Sequence, residues 1–399
     1  MRLLRWLGLL GLVLVASSQP ARAAEPAAPI LFTRLPFNNG TLDQVLVEDG
    51  RLLLAPGASS GEWTSAPVEP GFGFDRLVAS WNAETPSDAY IRVEVQATTD
   101  TGVATDWYVL GLWAASDTTI RRTSLRGQED TLARVDTDTL FGRQALFTAY
   151  SLRLRLERGS GDDMSPSVRM LGAQVSHTSF SNAAPSSAPL GFEAVELAVP
   201  SYSQEVHARH YPLYGGGGEA WCSPTSTEMV VEYWSRGPTA ADLAWVDPGH
   251  PDPSVDHAAR GTYDAAYRGT GNWPFNTAYA ATFGLTAFVT QLRSLAEAER
   301  LVRAGIPLVA SIASRPGELE GFLFAGGTSG HLVVIVGFDA SGNPIVNDPA
   351  AWSDAAVRRV YDRAQFERVW LRGSQGTVYV IHPPEVGLPP PPADATANW

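Results

Sequence analysis

The periodicity of the apolar residues changes at one point in this chain, and that change limits the fold more than any other feature. Before the Ser-, Ala- and Pro-rich stretch 179–189, apolar and polar residues alternate strictly, as in 91–97 (IRVEVQA) and 151–157 (SLRLRLE). A period of two is typical of half-buried antiparallel strands. Since 32–177 contains no convincing long amphipathic helix, an all-β sandwich or jelly-roll-like module is predicted there.

After that stretch the pattern becomes a mixture of helix and strand. Two amphipathic segments predict helices, and four short apolar runs predict strands, of which the first two are apolar enough for a buried sheet. The helices are 225–234 and 295–304, and the strands are 307–312, 332–338, 344–347 and 377–381. The chain as a whole is therefore predicted to be α+β.

The first residues have the order of a secretory signal peptide. Two arginines lie within Met1–Arg5, an apolar run follows over 6–15, and the small-residue pattern Ala21-Arg22-Ala23 comes next. The run is shorter than the roughly 20 residues that span a bilayer, so cleavage near Ala23 and secretion are expected rather than membrane anchoring.

These observations together divide the chain into five segments. The predicted segments are a signal peptide (1–24), a β-sandwich module (30–178), a linker (179–190), an α+β domain (191–384) and a disordered tail (385–399) rich in proline and alanine.

Charge limits the class of partner. The chain has 29 basic and 42 acidic residues and a formal net charge of -13. An acidic surface repels phosphates and anionic headgroups, so nucleic acid and membrane surfaces are excluded as expected partners of the mature protein. The sequence contains no lysine, which excludes lysine Schiff-base chemistry and lysine-dependent phosphate loops.

Four tryptophans of the β-module offer a contact for carbohydrate. They are Trp63, Trp81, Trp107 and Trp113. Indole rings can stack on sugars when exposed, but large aromatics in a sandwich more often fill the core. Carbohydrate contact by the N-terminal module therefore stays the less favoured of two interpretations.

The single cysteine, Cys222, is the strongest indication of chemistry. With one cysteine no intramolecular disulfide can form, so an exported chain would keep a free thiol. Cys222 follows the run Gly215–Gly218 and precedes Pro224, at the predicted start of a helix where Thr225 and Glu228 have the spacing of a capping box. Unsatisfied N–H groups at a helix start favour the thiolate, which is the nucleophilic form.

A histidine and a carboxylate are placed to assist that thiol. His331 ends a glycine-rich loop and opens the strand 332–338. The strand can hold its backbone in place while the loop leaves its imidazole accessible. A hairpin joins this strand to 344–347, and pairing of Gly337 with Pro344 would bring Asp348 diagonally beside His331. If the register slips by one residue, Asn347 takes that place.

Four segments in this order resemble the peptidase C39-like family, a branch of the papain-like cysteine peptidases. They are VPSYSQ (199–204), WCSPT (221–225), SGHLVV (329–334) and VNDPA (346–350). The resemblance implies Cys222 as nucleophile, His331 as general base and then acid, Asp348 as its orienting group and Gln204 as an oxyanion donor. It also implies a papain-like fold, in which a helix bearing the cysteine packs on an antiparallel sheet bearing the histidine.

Two departures from the family pattern are visible. Cys222-Ser223-Pro224 replaces the usual Cys-Gly-Pro, and Gln204 lies farther upstream of the cysteine than is usual. Ser223 still supplies a backbone N–H for an oxyanion hole.

The expected function is therefore that of an exported thiol hydrolase that cleaves amide bonds, most simply in peptides. The alternatives are a papain-fold binding protein with weak or no turnover and an amidase or transferase acting on peptidoglycan. No cofactor and no metal are predicted, because neither His207-Ala-Arg-His210 nor the stretch from His250 to His257 has a third ligand at close spacing. His257 could line the cleft without being catalytic. The segment 269–274 is expected to form a turn at the cleft wall, where Trp273 could contact substrate.

Overall fold

A computed structural model describes residues 29–117, 120–143, 146–159, 164–177, 186–191 and 193–399. The predicted signal peptide lies outside these residues, as does most of the predicted linker. Within the described residues no helix has both the length and the apolar composition that a membrane crossing requires.

The described part of the N-terminal half forms strands only. They are β1 (Ile30–Arg34), β2 (Gly40–Asp43), β3 (Val45–Glu48), β4 (Arg51–Leu54), β5 (Ser60–Ser65), β6 (Arg76–Glu84), β7 (Tyr90–Thr99), β8 (Tyr108–Trp113), β9 (Ala133–Asp136), β10 (Thr139–Gly142), β11 (Phe147–Glu157) and β12 (Ser167–Ser176).

These strands make two antiparallel sheets. The first has the order β3-β4-β12-β6-β10-β9, with β1 paired to β12, and the second has the order β2-β5-β11-β7-β8. The alternation seen in the sequence explains their packing: Leu152, Leu154 and Leu156 of β11 are buried, while Arg155 between them is exposed. Side chains of both sheets share one core cluster, so the sheets pack face to face, as the sequence predicts.

The C-terminal half is mixed. Its elements are β13 (Val195–Glu196), α1 (Cys222–Tyr233), α2 (Pro253–Thr262), α3 (Trp273–Thr282), β14 (Thr286–Gln291), α4 (Leu295–Arg303), β15 (Leu308–Ser314), β16 (Thr328–Phe338), β17 (Pro344–Asn347), β18 (Arg358–Val360), α5 (Arg363–Ser374) and β19 (Thr377–His382). The sheet has the order β14-β19-β15-β16-β17-β18, with β13 paired to β16, and its pairs are antiparallel.

Helices cover both faces of this sheet. In β16, Val334 and Val336 pack with Met229 and Val230 of α1, whereas the alternate residues of the strand pack with α4 and α5. A strand buried on both faces needs apolar residues at every position, which explains the continuous run 332–338.

The sequence analysis did not identify α2, α3, α5 or β14. In α3 eight consecutive residues, 274–281, are buried, so the helix has no polar face and shows no amphipathic period. Its start is nevertheless marked, because the Asn272 side chain accepts a hydrogen bond from the Phe275 N–H at 3.1 Å.

The two halves share a continuous core. Phe275 of α3 packs against the rings of Trp81 and Trp113, with centroids 6.1 and 5.5 Å away. The Asn82 side chain donates to the Ala287 carbonyl at 2.7 Å and accepts from its N–H at 3.2 Å. The β-module is therefore a packing partner of the α+β half.

The burial of three of the four tryptophans contradicts their role in a sugar-binding platform. Trp63, Trp81 and Trp113 are at most 1% exposed, and Trp107 is covered by the Arg153 guanidinium, 4.3 Å from its ring. Trp63, Trp81 and Trp113 therefore fill the core and cannot stack on a sugar, whereas Trp107 is half-buried and carbohydrate contact by the module stays a prediction.

The C-terminal tail also differs from the disordered segment expected from its composition. The buried Asn398 side chain donates to the Gln291 carbonyl and to Glu297, both at 2.8 Å, and the Phe32 N–H donates to the Ala397 carbonyl at 3.0 Å. These hydrogen bonds attach the tail to both halves of the chain, through β1 on one side and through β14 and α4 on the other.

Candidate active site

The cysteine is the first residue of α1. Trp221 occupies the N-cap position without a side-chain hydrogen bond, and the Thr225 N–H already bonds to the Trp221 carbonyl at 3.0 Å. The helix thus begins three residues earlier than predicted and the expected capping box is not formed. Cys222 lies in the first turn and is partly exposed. The N–H groups of a first helical turn have no partners within the helix, so this position favours a negative charge such as that of a thiolate.

The histidine lies inside β16, which begins at Thr328, earlier than predicted. Phe338, not Gly337, pairs with Pro344, but an irregularity between Ile335 and Gly337 absorbs the difference. Beyond it Val334 faces Asn347, which is the register expected from the sequence. The bulge therefore restores the predicted alignment of the segment that carries His331.

His331 and Asp348 form a buried pair. The His331 Nε2 atom lies 2.7 Å from the Asp348 Oδ1 atom, and the two residues are 1% and 0% exposed. Burial alone would lower the pKa of His331, but the charge of Asp348 and hydrogen bonds to Asp348 and Cys222 outweigh it and raise this pKa to about 10. With Nε2 bonded to the carboxylate, Nδ1 is the nitrogen left for the Cys222 sulfur.

The carboxylate is itself held in place. Asp348 Oδ1 accepts from the Ala350 N–H at 3.1 Å, and Oδ2 accepts from the Tyr361 hydroxyl at 2.9 Å. Burial by itself would raise the pKa of Asp348, but the charge and hydrogen bond of His331 lower it. Asn347, the alternative orienting residue, points away and donates to the Pro200 carbonyl at 3.0 Å.

Tyr361 was missed by sequence reasoning. It precedes α5 and is 2% exposed, and burial together with the charge of Asp348 raises its pKa, so that it stays a hydrogen-bond donor. Tyr361 directly follows β18, the strand at one edge of the sheet. Its approach to Asp348 therefore depends on the fold. No local motif around Tyr361 could have indicated this contact.

Gln204 borders the same cleft as Cys222 and His331. Its long separation from the cysteine is accommodated by a loop that folds back, since the Gln204 side-chain amide donates to the Glu219 carbonyl at 3.0 Å. The Gln204 N–H also bonds to the Pro349 carbonyl at 2.8 Å. Gln204 is thereby attached both to the segment before the cysteine and to the segment after Asp348.

An open cleft of about 700 Å³ lies over these residues. Phe324 packs edge-on against the His331 ring at 5.0 Å between centroids, and Trp273 also lines the cleft. His257 does not reach it: this histidine lines a separate pocket and bonds through Nδ1 to the Tyr279 hydroxyl at 3.0 Å. Its expected place at the cleft is wrong.

The β-module supplies part of the cleft wall, which sequence reasoning also missed. The turn between β9 and β10 places Thr137 and Asp138 at the cleft. The Asp138 carboxylate accepts from the Trp273 N–H at 2.8 Å, and burial raises its pKa to about 6. One hydrogen bond therefore ties the wall formed by the N-terminal half to the start of α3.

Comparison with known families assigns both halves. Residues 196–378 match the peptidase C39-like family, and residues 55–176 match the peptidase C39 N-terminal domain. No curated protein matches the chain. A solved structure of the infectious bursal disease virus Gt strain is 11% identical, with 41% of this chain and 38% of that chain covered. Its TM-score of 0.20 does not indicate a shared fold.

Proposed function

We propose, on the premise that the C-terminal half of this chain belongs to the peptidase C39-like family, that the protein is an exported cysteine peptidase with a papain-like catalytic domain. The observation that carries the proposal is the position of His331. It bonds to Asp348 through Nε2, and it borders the same open cleft as Cys222, whose interaction helps to raise the pKa of this histidine. A thiol, an imidazole and a carboxylate in that order are the parts of a nucleophilic triad.

In the proposed reaction the Cys222 thiolate attacks the carbonyl carbon of a peptide bond. The protonated His331 gives its Nδ1 proton to the leaving amine, and a thioester forms. Water then attacks the thioester while His331 takes its proton at Nδ1; the C–S bond breaks, which releases the carboxylic acid and restores the thiolate–imidazolium pair. Asp348 keeps Nε2 protonated and the ring fixed throughout.

Gln204 is proposed to stabilise the oxyanion of both tetrahedral intermediates, together with the backbone N–H groups at the start of α1. Its side chain is 1% exposed and held by Glu219 and by its own backbone bond to Pro349. A donor fixed before the reaction costs no reorganisation when the charge develops.

The substrate class follows from the family and the cleft. We infer peptides as substrates, bound in the cleft that Trp273, Phe324 and the β9–β10 turn line. Export is proposed from the signal-like residues 1–24.

A peptide-library digestion with the full chain tests the proposal, with Cys222→Ser as the matched control. Cleaved peptides are expected with the parent protein, together with covalent labelling of Cys222 by an electrophilic thiol probe, and neither is expected with the control. Labelling without cleavage of peptides but with cleavage of peptidoglycan fragments would replace the substrate class by the amidase alternative. An unreactive thiol would support a binding protein instead.

A further inference from the structure

Outside the cleft, a second group of histidines surrounds a buried carboxylate. His207 ends a short 3-10 helix (Glu205–His207), and His210 follows in the same loop. His250 lies in the loop before α2, and Asp256 lies in α2. The two histidine-containing stretches that are separate in the sequence thus meet in the fold.

Asp256 is the centre of this group. Its Oδ2 atom lies 3.0 Å from the Nδ1 of His207, and its Oδ1 atom lies 3.3 Å from the Nδ1 of His210 and 3.5 Å from the Nδ1 of His250. Ligand atoms of His207, His210 and Asp256 all lie within 4.8 Å of one another. Asp256 and His207 are 0% exposed.

Several of these polar atoms lack hydrogen bonds within the described residues. They are Asp256 Oδ1, His210 Nδ1, His250 Nδ1 and His207 Nε2, and all of them are buried. A buried polar atom without a partner has lost its hydrogen bonds to water and gained none in the protein, which is unfavourable. Three of the four converge on the same point, so a single bound group could satisfy them together.

We propose that His207, His210, His250 and Asp256 bind one divalent transition-metal ion of the zinc type. Bonds of about 2.0–2.1 Å in a tetrahedral site place neighbouring ligand atoms roughly 3.3 Å apart, which matches the 3.3 Å between Asp256 Oδ1 and His210 Nδ1. His207 Nδ1 lies 3.0 Å from the other oxygen, Oδ2, and His250 Nδ1 lies 3.5 Å from Oδ1. Imidazole nitrogens with one carboxylate select such metals over calcium or magnesium.

One adjustment accompanies binding. The rings of His210 and His250 are stacked, with centroids 3.4 Å apart, whereas a metal binds in the plane of each ring. One ring must therefore turn out of the stack. His250 is the ring able to do so, because it lies in a loop whose neighbours Gly249 and Pro251 are exposed.

The place of the site gives the ion a structural role. The His207 N–H bonds to the Gln204 carbonyl at 3.0 Å, and the His207 ring lies 6.2 Å from that of Trp221, the residue before the cysteine. An ion held by His207 and Asp256 would fix the loop that carries Gln204 to α2. It acts as a positioning group and takes no part in bond cleavage.

Zinc titration of the metal-depleted full chain tests the proposal. The Cys222→Ser background is used so that the thiol of the cleft cannot serve as a ligand. One equivalent of Zn²⁺ is expected by calorimetry, and Co²⁺ should give the visible bands of a tetrahedral site. His210→Gln and His250→Gln are each expected to weaken Zn²⁺ binding by at least about tenfold.

His177→Gln is the matched control, because His177 pairs with Asp75 in the β-module, and it should bind Zn²⁺ as the background does. Uptake of no Zn²⁺ by the Cys222→Ser chain overturns the proposal, as does equal affinity in His210→Gln, His250→Gln and the control. If His210→Gln does not fold, His250→Gln alone decides, since its loop is near the surface. The rise in its unfolding temperature with Zn²⁺ should then be clearly smaller than that of the Cys222→Ser background.

Discussion

Two histidine–aspartate groups lie in the C-terminal half, and they differ in how completely their hydrogen bonds are made. At Asp348 both oxygens have donors: His331 Nε2 at 2.7 Å, the Ala350 N–H at 3.1 Å and the Tyr361 hydroxyl at 2.9 Å. At Asp256 one oxygen bonds to His207, while the other is buried without a hydrogen bond. Both carboxylates are fully buried.

The hydrogen bonds of the Asp348 carboxylate all come from the chain itself. The Asp256 carboxylate keeps one oxygen without a donor, and this is where we propose that an ion binds. A fully bonded carboxylate holds an imidazole in one orientation and tautomer, which suits proton transfer to a neighbouring thiol. At Asp256, in contrast, an imidazole nitrogen that presents its lone pair to the carboxylate oxygen is repelled by that oxygen. A proton or a cation between the two atoms removes this repulsion. A buried histidine–aspartate group is therefore suited either to proton transfer or to ion binding, according to the hydrogen-bond donors around the carboxylate.

The largest effect is expected from His331→Ala. Without the imidazole the thiol has no base and the leaving amine no acid, so peptide turnover should fall by about 10²–10⁴-fold. The rate of Cys222 alkylation by iodoacetamide at pH 6 should fall as well, because the imidazolium that favours the thiolate is gone. Peptide turnover and mass spectrometry of the alkylated protein measure the two effects.

His257→Gln is the control for this variant, since His257 bonds to Tyr279 in a separate pocket. It should keep both turnover and alkylation nearly unchanged. Equal alkylation rates in His331→Ala, His257→Gln and the parent protein would remove the triad from the mechanism.

Asp348→Asn should change the pH dependence. The raised pKa of His331, about 10, sets the alkaline limit of activity, and loss of a neighbouring charge lowers such a pKa by about 1–3 units. The alkaline limb of kcat/KM should move to lower pH by about that much. The stability that His331 gains is present below its ordinary value of 6.5 and is lost as pH rises through about 10, so unfolding midpoints should depend less on pH in this range in the variant.

Ser203 serves as the comparison, because it bonds to the Ala351 carbonyl near the pair without touching it. Ser203→Ala should leave the alkaline limb where it is. An unmoved limb in Asp348→Asn would show that another group sets it.

The sequence predicts much of the catalytic group because its parts follow local rules. The cysteine precedes a helix, the histidine opens an apolar run, and the hairpin brings Asp348 near it; the structure differs by a bulge that leaves the local register unchanged. The start of α1 was placed too late because Thr225 and Glu228 imitate a capping box. Both are 0% exposed and serve the packing of the helix instead.

What the sequence could not predict depends on contacts between distant segments. The meeting of His207 with Asp256, the approach of Tyr361 to Asp348 and the wall formed at Asp138 each join elements far apart in the chain. The composition of the tail gives no sign of its contacts, since isolated residues make them: Asn398 through hydrogen bonds, and Val386 and Trp399 by packing against the core. Neither periodicity nor motif spacing carries that information.

Asp256→Asn should show a medium effect that depends on metal. With Zn²⁺ at about 100 times its Kd, the parent protein should gain about 2.7 kcal/mol of unfolding free energy, and the variant should gain little of it. Denaturant unfolding with Zn²⁺ and with a chelator measures the difference. Asp247→Asn, in the exposed loop that precedes His250, should keep the full gain; equal gains in both variants would mean that Zn²⁺ binds elsewhere.

The smallest effect is expected from Tyr361→Phe. This change removes one of three hydrogen bonds to Asp348 and keeps the ring, which packs on Phe366 with centroids 6.1 Å apart. The expected cost is about 1 kcal/mol in unfolding free energy, with a fall in kcat of less than about tenfold, since His331 Nε2 and the Ala350 N–H still hold the carboxylate. Phe366→Leu, which changes the same packing without touching Asp348, is the control for stability and should leave kcat unchanged. A fall in kcat as large as that of His331→Ala would mean that the hydroxyl of Tyr361 takes part in proton transfer rather than in positioning.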